Sequence, residues 1–319
     1  GDGLRFVGGS SGSIVRGLAI NRFGDPNTAA AISVTGGATG VSIVGNILGL
    51  RPDGSQADGP VQARGVRVAN ATATQVGGTS PADRNVIAGN NVAIWLSSIG
   101  AQDTVIEGNY IGTDPTGTIS FFGGGGLVGQ VGIEINGPRS RIGGTAPGAG
   151  NLISGHRTGI NIPGPTGASA NDTVIQGNRI GTDLTGAPTI GNGFGGANQG
   201  GILLSNGARA VIGGTDPAAG NLIRGSNPDA VAIAAPAAET SVLGNSITLS
   251  VGRGIRLDGI TAPAPEITSA EFDGSELEIE GTLTADPGTY RIELFANAAC
   301  GSFGVGEGEF FLGAASVDA

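Results

Sequence analysis

The chain has 319 residues and a formal net charge of −10, with one cysteine, one histidine, and arginine at every one of its 16 basic positions. A lone His and a lone Cys exclude a His/Cys zinc site and an internal disulfide, leaving Cys300 as a free thiol or an intermolecular partner. No apolar run approaches the ~18 residues of a membrane-spanning helix, the 63 glycines and 16 prolines leave no long stretch of helix formers, and the acidic balance makes nucleic acid a poor partner.

Read in chain order, the sequence predicts short strands of period two joined by Gly-rich corners. Leu4 to Ile20 already reads as one coil of a repeating unit. Apolar-x-apolar strings, often opened by Gly, follow at Ile32-Ser33-Val34, Val66-Arg67-Val68, Ile94-Trp95-Leu96 and Ile133-Glu134-Ile135. They continue at Ile160-Asn161-Ile162, Ile202-Leu203-Leu204, Val231-Ala232-Ile233 and Ile255-Arg256-Leu257. Asn-x-Ile or a close variant recurs at Asn46, Asn85, Asn109, Asn151, Asn178, Asn221 and Asn245, at intervals of 39, 24, 42, 27, 43 and 24 residues. Val/Ile-Gly-Gly-Thr opens at Val76, Ile142 and Ile212, once per long-plus-short pair of intervals.

A fixed side chain at one structural point, with connecting loops of two length classes, is the signature of a solenoid. Stacked parallel strands give one rung about every ~4.8 Å, each residue lying over its counterpart in the next coil. About eight coils make a rod roughly 40 Å long on that spacing. The seven asparagines are expected to form a structural ladder, each amide bonding corner backbone and the amides above and below. The expected fold class is all-β, a single-stranded parallel β-helix over residues 1–259.

Gly108-Asn109-Tyr110-Ile111-Gly112-Thr113-Asp114 recurs as Gly177-Asn178-Arg179-Ile180-Gly181-Thr182-Asp183. With the Ile-Gly-Gly-Thr and Asn-Leu-Ile-Ser/Arg-Gly strings, residues 1 to about 259 resemble the repeats of secreted bacterial right-handed parallel β-helix proteins, the pectate-lyase-like superfold. The resemblance implies a right-handed coil and a secreted or cell-surface address. It leaves activity open, because the fold carries lyases, hydrolases, epimerases, adhesins and inert stalks. One departure is at Gly49-Leu50-Arg51-Pro52, where Arg51 replaces the aspartate. Neither the Asp/Asp-Asp/Gly-His-Gly/Arg-x-Lys set of polygalacturonase-type helices nor the Arg-x-Pro-x-x-Arg string of pectate-lyase-type enzymes is present.

Charge divides the chain. Residues 1–259 hold fifteen arginines against fifteen acids, whereas residues 260–319 hold Arg291 against eleven acids. Beyond the Pro263-x-Pro265 linker, Ser275-Leu277-Ile279, Tyr290-Ile292-Leu294 and Phe310-Phe311-Leu312 read as antiparallel strands of a partial β-sandwich module. Its Leu294-Phe295-Ala296-Asn297 and Gly306-Glu307-Gly308 strings are similar to a module that follows such β-helices in surface proteins. Both ends of the chain read as fragment ends, or else as surfaces where copies join end to end into a filament.

Candidate sites are few. His156 sits at a corner, where a surface position is expected rather than a catalytic base. Asp114 and Asp183 lie in Thr-Asp-x-Thr-Gly strings, a turn signature in which Asp bonds its own backbone, and Asp103 and Asp172 read the same way. The outward column of the apolar-x-apolar strands brings Arg67, Trp95, Glu134 and Asn161 into one stripe, a platform for a sugar chain with Glu134 as a weak candidate catalytic acid. The loop Pro115–Gln130, with Phe121 and Phe122, is expected to wall one side. No cofactor is called for; calcium is the one cation that Glu276, Glu278, Glu280, Glu307 and Glu309 suggest. The sequence thus favours an extracellular structural or adhesive stalk, its partners a surface glycan or copies of itself. The rival is a polysaccharide lyase, glycoside hydrolase or epimerase.

Overall fold

The computed structural model describes residues 1–23, 29–57, 62–121, 130–163, 171–194, 199–205, 209–235, 239–301, 304 and 306–319. Each coil contributes a strand to three long parallel sheets. In the third coil these strands are Gln62–Ala69, Gln75–Gly77 and Val86–Ile87. Among the described residues the first sheet has nine strands, from Leu4–Phe6 to Ile255–Asp258, and the second and third have eight each. The chain is a parallel β-helix of eight coils, with a ninth strand begun.

The apolar-x-apolar strings form the first sheet, and their register follows the spacing in the sequence. Ser33 pairs with Arg67, Arg67 with Trp95, Trp95 with Glu134 and Glu134 with Asn161. Flanking residues such as Ile32, Val66, Ile94, Ile133 and Ile160 are fully buried and make one continuous core. Glycine opens these strings for a steric reason. A Cβ on Gly65, Gly132, Gly159 or Gly201 would press on the inward Ile87, Ile153, Ile180 or Ile223 of the third sheet.

The asparagines form an unbroken column at the corner between the second and third sheets. The backbone N–H and Nδ2 of Asn46 both donate to Oδ1 of Asn85 at 3.0 Å. The same pair of bonds links Asn85 to Asn109, Asn109 to Asn151, Asn151 to Asn178, Asn178 to Asn221 and Asn221 to Asn245. Each Nδ2 also donates to a second-sheet carbonyl of the coil before, as Asn109 does to Val76 at 2.9 Å. In the first coil Leu18 stands at this position, and its amide donates to Asn46 Oδ1. The Gly-Gly strings give the column room: Gly77 has φ +81, and a Cβ there would collide with the Glu107 carbonyl and the Asn109 amide.

Among the described residues, the turns that follow the third-sheet strands at Asp114 and Asp183 stack on one another beside that sheet. Asp114 accepts the amides of Thr116, Thr118 and Ile119 and the Thr116 hydroxyl. Asp183 does the same with Thr185, Ala187 and the Thr189 hydroxyl. The two loops stack through Leu184 N–H donating to Gly117 O at 2.9 Å. Phe121 packs with Ile47 on an outer apolar cluster of Leu50, Val86, Ala88, Tyr110 and Leu152. Phe121 therefore packs on the third sheet rather than beside the Trp95 stripe, drawn there by that sheet's apolar outer face; residues 122–129 of the expected wall, Phe122 among them, lie outside the described residues.

Residues 260–319 form two antiparallel hairpins, Glu266–Phe272 with Leu277–Thr282 and Thr289–Ala296 with Phe310–Asp318. They face a common groove lined by Ile267, Ile279, Ile292, Leu294 and Val317. The second hairpin closes part of the end of the solenoid. Asn297 Oδ1 accepts the three successive amides of Glu307, Gly308 and Glu309. The segment so held takes the Ile247 amide on Gly308 O, the Ser250 amide on Glu307 and the Ser246 hydroxyl on Glu309 O. Glu293 takes the Gly244 amide at 2.8 Å, and Glu309 pairs with Arg224 at 3.3 Å. A second copy adding a rung at this strand would have to displace Gly308. Glu307 and Glu309 are engaged in this closure, and Glu278 lies opposite Glu271 across the first hairpin. Among the described residues no three His, Cys, Asp or Glu side chains converge as metal ligands.

The column makes a stability prediction. Asn109→Ala strands the buried amide and Nδ2 donors of Asn85, at about 1–3 kcal/mol for each unsatisfied group. Urea denaturation should show a loss of about 2–5 kcal/mol. A loss under about 0.5 kcal/mol, the usual range for a surface substitution, would show that the column contributes little.

Candidate functional site on the tryptophan face

In four consecutive coils the outward position of the first-sheet strand carries Arg67, Trp95, Glu134 and Asn161. All four side chains are half-buried. The structure brings together the four residues that the sequence placed in one stripe. It adds a fifth, Arg64, whose guanidinium carbon sits 4.1 Å from the centre of the Trp95 rings, while that of Arg67 lies at 5.6 Å. Both distances are within cation–π range.

Strict alternation along the strand hides Arg64, because it predicts Arg64 and Arg67 on opposite faces. Gly65 breaks the alternation by turning inward next to buried Val66, so both arginines emerge on the same side. Burial lowers the Arg64 pKa from its usual value, and the Arg67 charge lowers it further; Glu134 and Asp2 work the other way. Arg67 donates through Nε to Ser97 Oγ at 3.3 Å. The indole Nε1 is buried with no hydrogen-bond partner.

Several other charges on the coil are paired with one another. Glu107 holds Arg141 at 2.8 Å and Gln75 at 3.0 Å. Asp229 receives Arg256 Nε at 2.7 Å. Asp103 and Asp172 are left-handed corner residues, at φ 55 and 61. They pair with Arg139 at 2.7 Å and Arg209 at 2.6 Å, and Arg209 also reaches Glu239 at 2.9 Å. The expected turn bonding to their own backbone is replaced by an exposed charged edge, because a corner in this conformation points its side chain outward and along the stack.

Asp114 and Asp183 keep their turn roles. Burial pushes the Asp114 carboxyl up, but the Thr116 hydroxyl and the amides of Ile119, Thr118 and Thr116 outweigh it and hold it below the usual range. The Thr185 hydroxyl leads the corresponding bonds that hold Asp183 low against the opposing effect of burial. Retaining and inverting glycosidases need two carboxyls about 5–9.5 Å apart. The column neighbours of Glu134 are Trp95 and Asn161, so the stripe itself supplies one acid.

No family model, curated protein or solved structure matches this chain. The site therefore stands on its geometry alone.

His156 corrects another expectation, because it is buried rather than on the surface. It occupies a second polar corner, between the third and first sheets, whose other members the sequence reading missed. Its amide donates to Asn192 Oδ1 at 3.0 Å, Asn192 Nδ2 donates to Ile153 O at 2.9 Å, and Asn90 Nδ2 donates to Leu48 O at 3.1 Å. The imidazole lies against Gly112 and Gly132, and its Nδ1 has no partner. Two glycines opposite a corner His were the available signal.

Burial alone lowers the His156 pKa from 6.5 to about 3. A base depressed on folding is protonated first in the unfolded chain, so stability falls as pH drops from 6.5 towards 3. The slope is about 1.4 kcal/mol per pH unit over that window. Between pH 7 and 4.5 the wild-type chain should lose about 2–3 kcal/mol more than His156→Gln in urea melts. Parallel losses would show that the imidazole is not buried neutral.

Proposed function

We propose that this chain is a secreted or cell-surface structural or adhesive β-helix, allied to the bacterial pectate-lyase-like superfold, whose tryptophan face holds a glycan. The repeat strings Gly-Asn-Tyr/Arg-Ile-Gly-Thr-Asp support the alliance and the address. The asparagine column supports the mechanical role: its buried polar groups bond coil to coil and leave the outer faces for binding.

One observation carries the binding reading. The only tryptophan of the chain stands on a rigid strand between a guanidinium and a carboxylate on adjoining rungs. An indole offers a flat apolar surface to the C–H face of a sugar, while charged and amide groups beside it bond ring hydroxyls. Glycan-array binding of the wild type should fall at least tenfold on Trp95→Ala. Equal signals from the two proteins would remove the platform.

A further inference from the structure

The polar groups of the tryptophan face have an order along the coil axis that restricts what it can hold. Arg64 and Arg67 lie on one rung, Trp95 on the next, Glu134 on the next and Asn161 beyond it. Arg67 and Glu134 are thus two rungs apart, about 10 Å at the spacing of parallel strands. Arg67 spends only its Nε on Ser97. Its Nη groups, the Glu134 carboxylate and the Asn161 amide have no hydrogen-bond partner among the described residues. This contrasts with Glu107, Asp103 and Asp229, each of which is committed to an arginine.

A uniformly anionic polymer lying along this stripe would meet the two arginines favourably and then set a negative group against Glu134. A uniformly cationic one would meet the reverse. Like-charge placement of this kind is how an interface rejects a partner. We infer that the face takes a linear glycan carrying both carboxylate and amino groups, its carboxylate over the Nη groups of Arg67, a sugar ring on Trp95, and its amine over Glu134. This rests on the glycan-binding reading above and goes further in fixing the charge pattern and direction of the ligand. A guanidinium fork suits a planar carboxylate, and an ammonium suits the acceptor-only carboxylate of Glu134.

Isothermal titration at pH 6 and 0.15 M salt with carboxymethyl chitosan, alginate, chitosan oligosaccharide and neutral dextran tests this. The eleven acids of residues 260–319 add a background with the cationic polymers that all variants share, so differences between variants are the readout. Carboxymethyl chitosan should bind the wild type at least tenfold more tightly than alginate or dextran. Glu134→Arg should shift the preference towards alginate, and Arg67→Glu towards chitosan. Both positions face outward, and melting curves of the two variants confirm that they fold. Dextran binding as well as carboxymethyl chitosan, or charge reversals that leave the ranking unchanged, would overturn the inference while leaving glycan binding in place. No binding of any of the four polymers would overturn both.

Discussion

The structure depends on a column of side-chain amides that all point the same way. Each asparagine from Asn46 to Asn221 donates to the amide oxygen of the next, so six successive links share one polarity. A buried corner contains peptide groups that no strand ladder reaches, and each would be costly if left unpaired. The amides satisfy them and tie one coil to the next. The column also fixes register, because an asparagine displaced by one residue would turn its amide out of the corner.

Polarity makes the two ends of the rod chemically different. At the Leu18 end the column presents acceptors, and a backbone amide meets them. At the other end it presents donors, and the adjoining Gly244 amide is met by the Glu293 carboxylate from the acidic hairpin. Three of the eleven acids in the last sixty residues meet the final rung: Glu293 and Glu307 accept its amides through their carboxylates, and Glu309 accepts the Ser246 hydroxyl through its backbone carbonyl, while Asn297 holds the Glu307–Glu309 segment in place. The remaining acids lie along the hairpins.

Much of this was legible in the sequence because a solenoid converts spacing into stacking. The column of Asn46 to Asn245, the alternate burial around Trp95 and the turn roles of Asp114 and Asp183 follow from local pattern. What was hidden involves glycine or distant cover. Gly65 turned Arg64 onto the tryptophan face against the period-two rule. Gly112 and Gly132 made space for His156 inside the coil, where a corner histidine had suggested exposure. Phe121 was drawn to Tyr110 and Leu152 by an apolar outer face on the third sheet, which a reading centred on the first sheet did not weigh. Asp103 and Asp172 met arginines 36 and 37 residues along the chain, and no local signature encodes such a pair.

Everything on the tryptophan face requires that residues from successive coils stand one rung apart. Disulfide trapping measures this directly. In a Cys300→Ser background, Trp95→Cys combined with Glu134→Cys should oxidise readily, since adjacent rungs at about 4.8 Å fall within the Cα separation a disulfide spans. Trp95→Cys combined with Asn161→Cys, two rungs and about 10 Å apart, should stay reduced within the monomer. Failure of the first pair to close, or equal closure of both, would contradict the stacked register.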